Sequence, residues 1–219
     1  MSFLILGKDR EDPYFFKALE FVKLHIDHYD IVLAKPGESL PEKLLEWQGD
    51  YIISYLCPWV IPDKMLISAR KASINFHPGP PEYPGTGCTN FAIYNEETIY
   101  GVTCHYMAPE VDSGRIILVS RFPILESDTV YSVTQRCYAY MLTQFYNIMT
   151  KILSNQLLPE SGEAWTKKAY RYKDLVELKR ISPDMDANEI KKRIRAVTYP
   201  GYVGAYIDLH GYRFILDDK

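Results

Sequence analysis

The chain has 219 residues, of which 47% are apolar and 24% charged, and its formal net charge is -3. That length suits one full core with a small appendage, and that apolar share excludes wholesale disorder. Opposite charges are interspersed, so no basic stripe argues for nucleic acid, and no apolar run reaches the roughly 20 residues that span a bilayer.

The four cysteines, Cys57, Cys88, Cys104 and Cys137, form no C-x-x-C pair and match no zinc spacing. No metal is expected, and free thiols in a reducing cytoplasm are. No charged segment precedes a long apolar stretch at the start, so no signal peptide is expected.

In chain order, residues 3–6 form a short apolar run ending at Gly7, like a first buried strand. Residues 13–25 carry apolar side chains at helical spacing. Residues 29–34 read as a second strand, and residues 39–47 as a short helix with Ser39 as cap and Pro41 in its first turn. Residues 50–56 read as a third strand, 62–70 as a helix and 71–76 as a fourth strand. Residues 89–97 read as another short helix. Residues 100–107 and 115–120 alternate like strands on either side of a turn-rich loop holding Asp112. A long helix follows over 128–154, capped by Ser127 or Asp128, with a stripe from Val130 to Ile152 that includes Tyr140. Beyond Leu158 the chain turns irregular until a helix over 186–197, where Asp186 is the cap and Glu189 completes an acidic capping box. Residues 202–216 read as a hairpin turning at His210-Gly211.

Strands alternating with helices predict an α/β fold, a Rossmann-like, mainly parallel sheet with helices on both faces. A short C-terminal helix and hairpin follow. Residues 1–158 are expected to form the catalytic domain and 159–219 an extension. Gly7-Lys8-Asp9-Arg10 is not the G-x-G-x-x-G fingerprint, which disfavours a dinucleotide site.

The segment Asn75-Phe-His-Pro-Gly-Pro-Pro-Glu-Tyr-Pro-Gly-Thr-Gly87 carries the chemistry. In a strand, residues i and i+2 share a face, so Asn75 and His77 project together at the carboxyl end, where α/β sheets bind ligands. An amide donor beside an imidazole suits chemistry that polarises a carbonyl and removes a proton. His105 alternates with the inward face and reads as structural. His25, His28 and His210 read as surface residues. Cys88 has no evident base partner and is not expected to be a nucleophile.

The ordered set Asn-x-His-Pro, Tyr-x-Gly, Gly-Val-Thr-x-His and Asp-x-Gly-x-Ile resembles the formyltransferases that use 10-formyltetrahydrofolate. The resemblance is close from Ser54 to Ile124 and looser elsewhere. It implies that Asn75, His77 and Asp112 are catalytic: Asn75 donates to the oxyanion, His77 is the general base and Asp112 orients it. It implies main-chain contacts to the folate from residues 56–62, with Cys57, Trp59 and Val60 on one wall and Met107, Glu110 and Val111 on the other.

The loop from His77 to Cys88, followed by Asn90-Phe-Ala, is most similar to the nucleotide-sugar N-formyltransferases. That implies a nucleotide-linked amino-dideoxyhexose as acceptor, dTDP-linked with UDP as the other possibility, made for surface polysaccharide. Lys8, Arg10, Tyr83 and Thr86 are the substrate-side candidates, with Tyr199 and Tyr202 stacking on the base. The family's short tail implies a homodimer through the hairpin. Three alternatives stay open: a glycinamide ribonucleotide type of acceptor, hydrolysis of the formyl donor, and a folate- or sugar-nucleotide-binding module.

Overall fold

The structure is a computed structural model that describes residues 1–35 and 37–217. Six strands form one sheet: β1 (Ser2–Lys8), β2 (His28–Ala34), β3 (Gly49–Tyr55), β4 (Ala69–His77), β5 (Ile99–Tyr106) and β6 (Ile116–Pro123). Their spatial order is β2-β1-β3-β4-β5-β6. The first four pair in parallel, and β5 runs against both β4 and β6. The expected α/β class holds, with one reversed strand beside the Asn75–His77 strand.

The two faces are covered unequally. Helices α1 (Pro13–His25), α3 (Cys88–Tyr94) and α4 (Val130–Leu153) build the thick side. There Ile5, Ile53, Ile74 and Phe76 meet Phe15, Val22, Phe145 and Met149. On the other face Leu4, Leu6 and Ile52 are covered by Leu44, Ile61 and Met65, from a 3-10 turn (Glu42–Glu46), the loop after β3 and the four-residue helix α2 (Asp63–Leu66), with Trp47, Trp59 and Leu66 packed against them. Strand alternation puts Asn75 and His77 on this thin side. Where the cover ends, the sheet surface is open to a ligand.

Several local expectations are corrected. The turn after β2 starts at Glu42 and Ser39 does not cap it, because Pro41 holds an extended backbone ahead of the first turn. The helix expected over 62–70 is one turn, since Ala69 already belongs to β4 and pairs with Gly49. The cap of α4 is Thr129, whose hydroxyl accepts from Ser132 N while Ser132 returns a bond to Thr129 N. Asp128 instead pairs with Arg136. Tyr140 leaves the apolar stripe and packs on Phe122 at the surface.

After a strap over residues 159–171 come α5 (Tyr172–Lys179), which the sequence reading missed, β7 (Arg180–Ile181) and α6 (Ala187–Val197). Asp186 caps α6, but Glu189 turns away to Tyr94 and Arg193 and closes no box. The hairpin β8 (Tyr206–Leu209) and β9 (Tyr212–Ile215) turns at His210 and Gly211. Both have positive φ, of 50° and 84°, as a two-residue turn of this hand requires. Leu178, Ala196, Val197 and Ala205 join the main core, so packing is continuous across residue 158.

Removing the α4 cap tests its weight. Thr129→Ala should lower stability by about 1 kcal/mol, while Ser127→Ala should leave chemical denaturation unchanged; equal midpoints for both variants would contradict the assignment.

Candidate active site

His77 closes β4, and Asn75 lies two residues before it on the same face. The antiparallel register sets His105 of β5 directly opposite Asn75 and Thr103 opposite His77. The turn after β5 then folds back because Gly114 sits against Tyr106: a Cβ there would lie 1.9 Å from the Tyr106 carbonyl oxygen. This turn carries Asp112 over the strand ends in the left-handed region, at φ 47°. Asp tolerates that conformation better than most residues, at some cost.

Asp112 is the meeting point. Its Oδ2 lies 3.1 Å from His77 Nδ1 and accepts the Gly85 N–H at 2.7 Å. Its Oδ1 lies 3.2 Å from His105 Nε2 and accepts from Asn75 Nδ2 at 3.4 Å. Burial by itself would raise this carboxyl. The positive charge that His77 can carry, hydrogen bonding with His105 and the Gly85 N–H outweigh burial and hold it well below the usual carboxylate range. Asp112 is therefore ionised at neutral pH.

His77 Nε2 lies 2.9 Å from the Tyr83 carbonyl oxygen. Its Nδ1 faces the Asp112 carboxylate, so both ring nitrogens meet acceptors, and the single hydrogen of the neutral ring serves one of them at a time. Burial pulls this imidazole below its ordinary value, against the upward push of Asp112. Burial thus favours the neutral ring, which can accept a proton, and the Asp112 carboxylate lies beside Nδ1 to stabilise the charge that results.

His105, expected to be structural, belongs to the same network. Its Nδ1 meets the Tyr106 carbonyl at 2.8 Å, and its Nε2 is 3.1 Å from Asn75 Nδ2. Neutral, it accepts from Asn75; charged, it donates to Asp112. The Thr-x-His alternation was visible in sequence, but only the β4–β5 register reveals the partner.

These groups line a cavity of about 1170 Å³. One wall includes Cys57, Trp59 and Val60, and another Met107, Glu110 and Val111. Trp59 Nε1 donates to the Glu38 carbonyl at 2.8 Å, which anchors that wall. Burial pushes the Cys57 thiol up to about 11, so it is an uncharged wall atom. Cys88 is buried and its thiol is also pushed up by burial, which leaves it inert.

Of the substrate-side candidates, Thr86 lines this cavity. Tyr83 is buried, and its hydroxyl is held by Glu97 and Asn95; its carbonyl faces His77. Lys8, Arg10, Tyr199 and Tyr202 lie outside the lining. Arg10 is paired with Asp12, donates to Tyr138 Oη at 2.8 Å and stacks over the Tyr138 ring. Tyr199 packs edge-on against Tyr131 and Tyr202.

The sequence reading missed the strap as part of the site. Thr166 N donates to the Pro81 carbonyl at 3.2 Å, Thr86 N to that of Tyr170 and Tyr170 N to that of Pro84, both at 2.9 Å. Gly85 is required here: its φ is 86° and a Cβ would lie 2.3 Å from the Tyr170 carbonyl oxygen. The strap brings Trp165, Lys167, Lys168 and Arg171 to the cavity. An irregular segment has no periodicity to announce such a role.

An amide, two imidazoles and one ionised carboxylate beyond a strand end define an α/β protein equipped for acyl-group chemistry. Residues 31–144 match the formyl transferase family, and the chain belongs to this family of enzymes. A GDP-perosamine N-formyltransferase of Brucella melitensis is 30% identical over 180 residues, covering 81% of this chain and 68% of that protein. A sugar N-formyltransferase from Shewanella sp. superposes with a TM-score of 0.77 at 19% identity, over 99% of this chain and 96% of that one. An N-formyltransferase of Helicobacter canadensis, solved with folinic acid and dTDP-3-aminofucose, superposes with a TM-score of 0.72 at 18% identity, over 96% and 85% of the two chains. These structural likenesses show a shared fold.

Proposed function

We propose that the chain moves the formyl group of 10-formyltetrahydrofolate to the amine of a nucleotide-linked amino-dideoxy sugar. The observation that carries this reading is the lining of the cavity. It combines Trp59 and Met107, the group Asn75, His77 and Asp112, and three cations of the strap, Lys167, Lys168 and Arg171. A folate-sized donor fits the apolar lining, and a diphosphate fits the cations. The relatives support the acceptor class: one acts on GDP-perosamine by its name, and one was solved with a dTDP-linked amino sugar. A dTDP-linked sugar for surface polysaccharide is the acceptor we carry forward, with residues 1–158 as the catalytic unit and 159–219 as the extension that closes the site.

In this reading the amine attacks the formyl carbon, the His77 imidazole takes its proton, and the carbon–N10 bond breaks as tetrahydrofolate leaves. Asp112, 3.1 Å away, stabilises the imidazolium that results. Asn75 spends its shorter bond on His105, at 3.1 Å, and its longer one on Asp112, at 3.4 Å. The hydrogen on the longer bond is the one assigned to the formyl oxygen. A donor placed there typically lowers the barrier by about 3 kcal/mol.

Turnover with 10-formyltetrahydrofolate and dTDP-, UDP- and GDP-linked amino sugars tests the proposal. One sugar should gain the mass of one formyl group as tetrahydrofolate appears. His77→Asn should remove turnover, and Asn75→Ala should lower kcat by about two orders of magnitude. Tetrahydrofolate without formylated sugar would point to hydrolysis instead, and a loss confined to KM would contradict the oxyanion role.

Protonation of His77 removes the base, so kcat/KM should fall as the pH drops. Because burial lowers this imidazole, the midpoint of the acid limb should lie below 6.5. A midpoint above 6.5 would remove His77 from that role.

The hairpin supports a second copy as partner. Tyr212, Phe214 and Ile215 are 72%, 56% and 52% exposed, an apolar patch on β9. Sedimentation equilibrium should give a dimer that Tyr212→Glu weakens at least tenfold; a monomer at tens of micromolar would end this part of the proposal.

A further inference from the structure

The strap lies beyond the matched family segment, which ends at residue 144. Its Trp165 packs edge-on against both site imidazoles. The ring centroids are 5.8 Å from His77 at 72° and 5.0 Å from His105 at 85°. The indole N–H is not free to turn, because it donates to the Gly114 carbonyl at 2.8 Å. Gly114 is itself immobilised against Tyr106. On either side the strap is tied to the loop that carries Gly85, through Thr166 and Tyr170, and to β6 through the Glu163–Arg121 pair. The indole is therefore a fixed plate, half-buried, with one side in the cavity. Beneath it the side chains of His77 and His105 are only 5% and 2% exposed.

We propose that Trp165 is a positioning residue that keeps water off His77 and His105, so that the formyl group reaches the amine and not water. This role rests on the transfer reading above. The competing reaction is simple to state. A water oxygen bonds to the formyl carbon, His77 takes a water proton and passes it to N10 as the carbon–N10 bond breaks, and tetrahydrofolate and formic acid, which ionises to formate, leave. The same base serves both reactions, so what decides between them is whether water can stand beside the ring. Trp165 fills that place with an apolar group that brings no hydrogen bond of its own to the imidazoles.

The test uses the whole chain and needs no acceptor for its first readout. Diethylpyrocarbonate carbethoxylates exposed neutral imidazoles, and peptide masses report each site. The protein has five histidines, and His25, His28 and His210 are exposed internal references. In the unsubstituted protein, His77 and His105 should label at least tenfold more slowly than the references. Trp165→Ala should speed both by at least tenfold and leave the references within twofold. Trp165→Phe, which keeps an aromatic plate, should stay within threefold of the unsubstituted protein. Unchanged labelling of His77 and His105 in a folded Trp165→Ala variant overturns the proposal. If that variant loses its thermal transition, Arg121→Gln frees the strap from outside the site, and a rise at the two site histidines alone is then required.

The second readout is the ratio of formate to formylated sugar, which should rise at least fivefold in Trp165→Ala with KM for the sugar nucleotide within twofold. Faster labelling with an unchanged ratio overturns the role in partition. If the unsubstituted protein formylates no acceptor, the transfer reading falls, while the labelling still decides whether Trp165 covers the imidazoles.

Discussion

Asp112 is a buried carboxylate, and a buried charge is tolerated only where donors surround it. Its four polar neighbours come from three separate pieces of chain: Asn75 and His77 from β4, His105 from β5, and the Gly85 N–H from the loop after β4. Removing any one would leave part of that buried charge uncompensated. The site's geometry and the carboxylate's ionisation are thus one property. The left-handed backbone at Asp112 is a strain that this network holds in place.

The sheet supplies the stage through an asymmetry. Among the described residues one face carries three helices, and the other a 3-10 turn, one helical turn and loop side chains such as Ile61. Side chains alternate along β4, so Ile74 and Phe76 lock the strand into the thick core while Asn75 and His77 face the thin side. The reversed direction of β5 has an equally direct effect. It brings Thr103 and His105 opposite His77 and Asn75 instead of leaving the strand end bare. Buried hydrophobic contacts on one face therefore hold polar groups on the other to a fixed geometry, as preorganised chemistry requires.

The C-terminal segment completes what the sheet begins. The backbone bonds between residues 81–86 and 166–170 join the glycine loop to the strap as a two-layered rim. The same rim carries three cations and one indole to the cavity. Charge and apolar cover are thereby separated, with the cations outward and Trp165 inward over the imidazoles. Core packing that runs through Leu178, Ala196 and Val197 keeps this rim attached to the main core.

The sequence alone determined the local terms. Alternation and helical spacing located the strands and the long helix. The i, i+2 rule put Asn75 and His77 on one face, and His210-Gly211 marked its hairpin turn. Each of these depends on neighbours within a few residues. It misjudged Ser39, the 62–70 segment and the α4 cap, where several short-range signals compete and the tertiary setting chooses. Only the tertiary structure decided that His105 faces Asn75, that Tyr83 offers its carbonyl instead of its ring, and that Trp165 lies on both imidazoles. Those outcomes depend on strand direction, register and a strap closing from about 90 residues away in sequence. Pairings across such separations leave no periodic trace in the chain, because what brings the residues together is burial shared by the whole sheet.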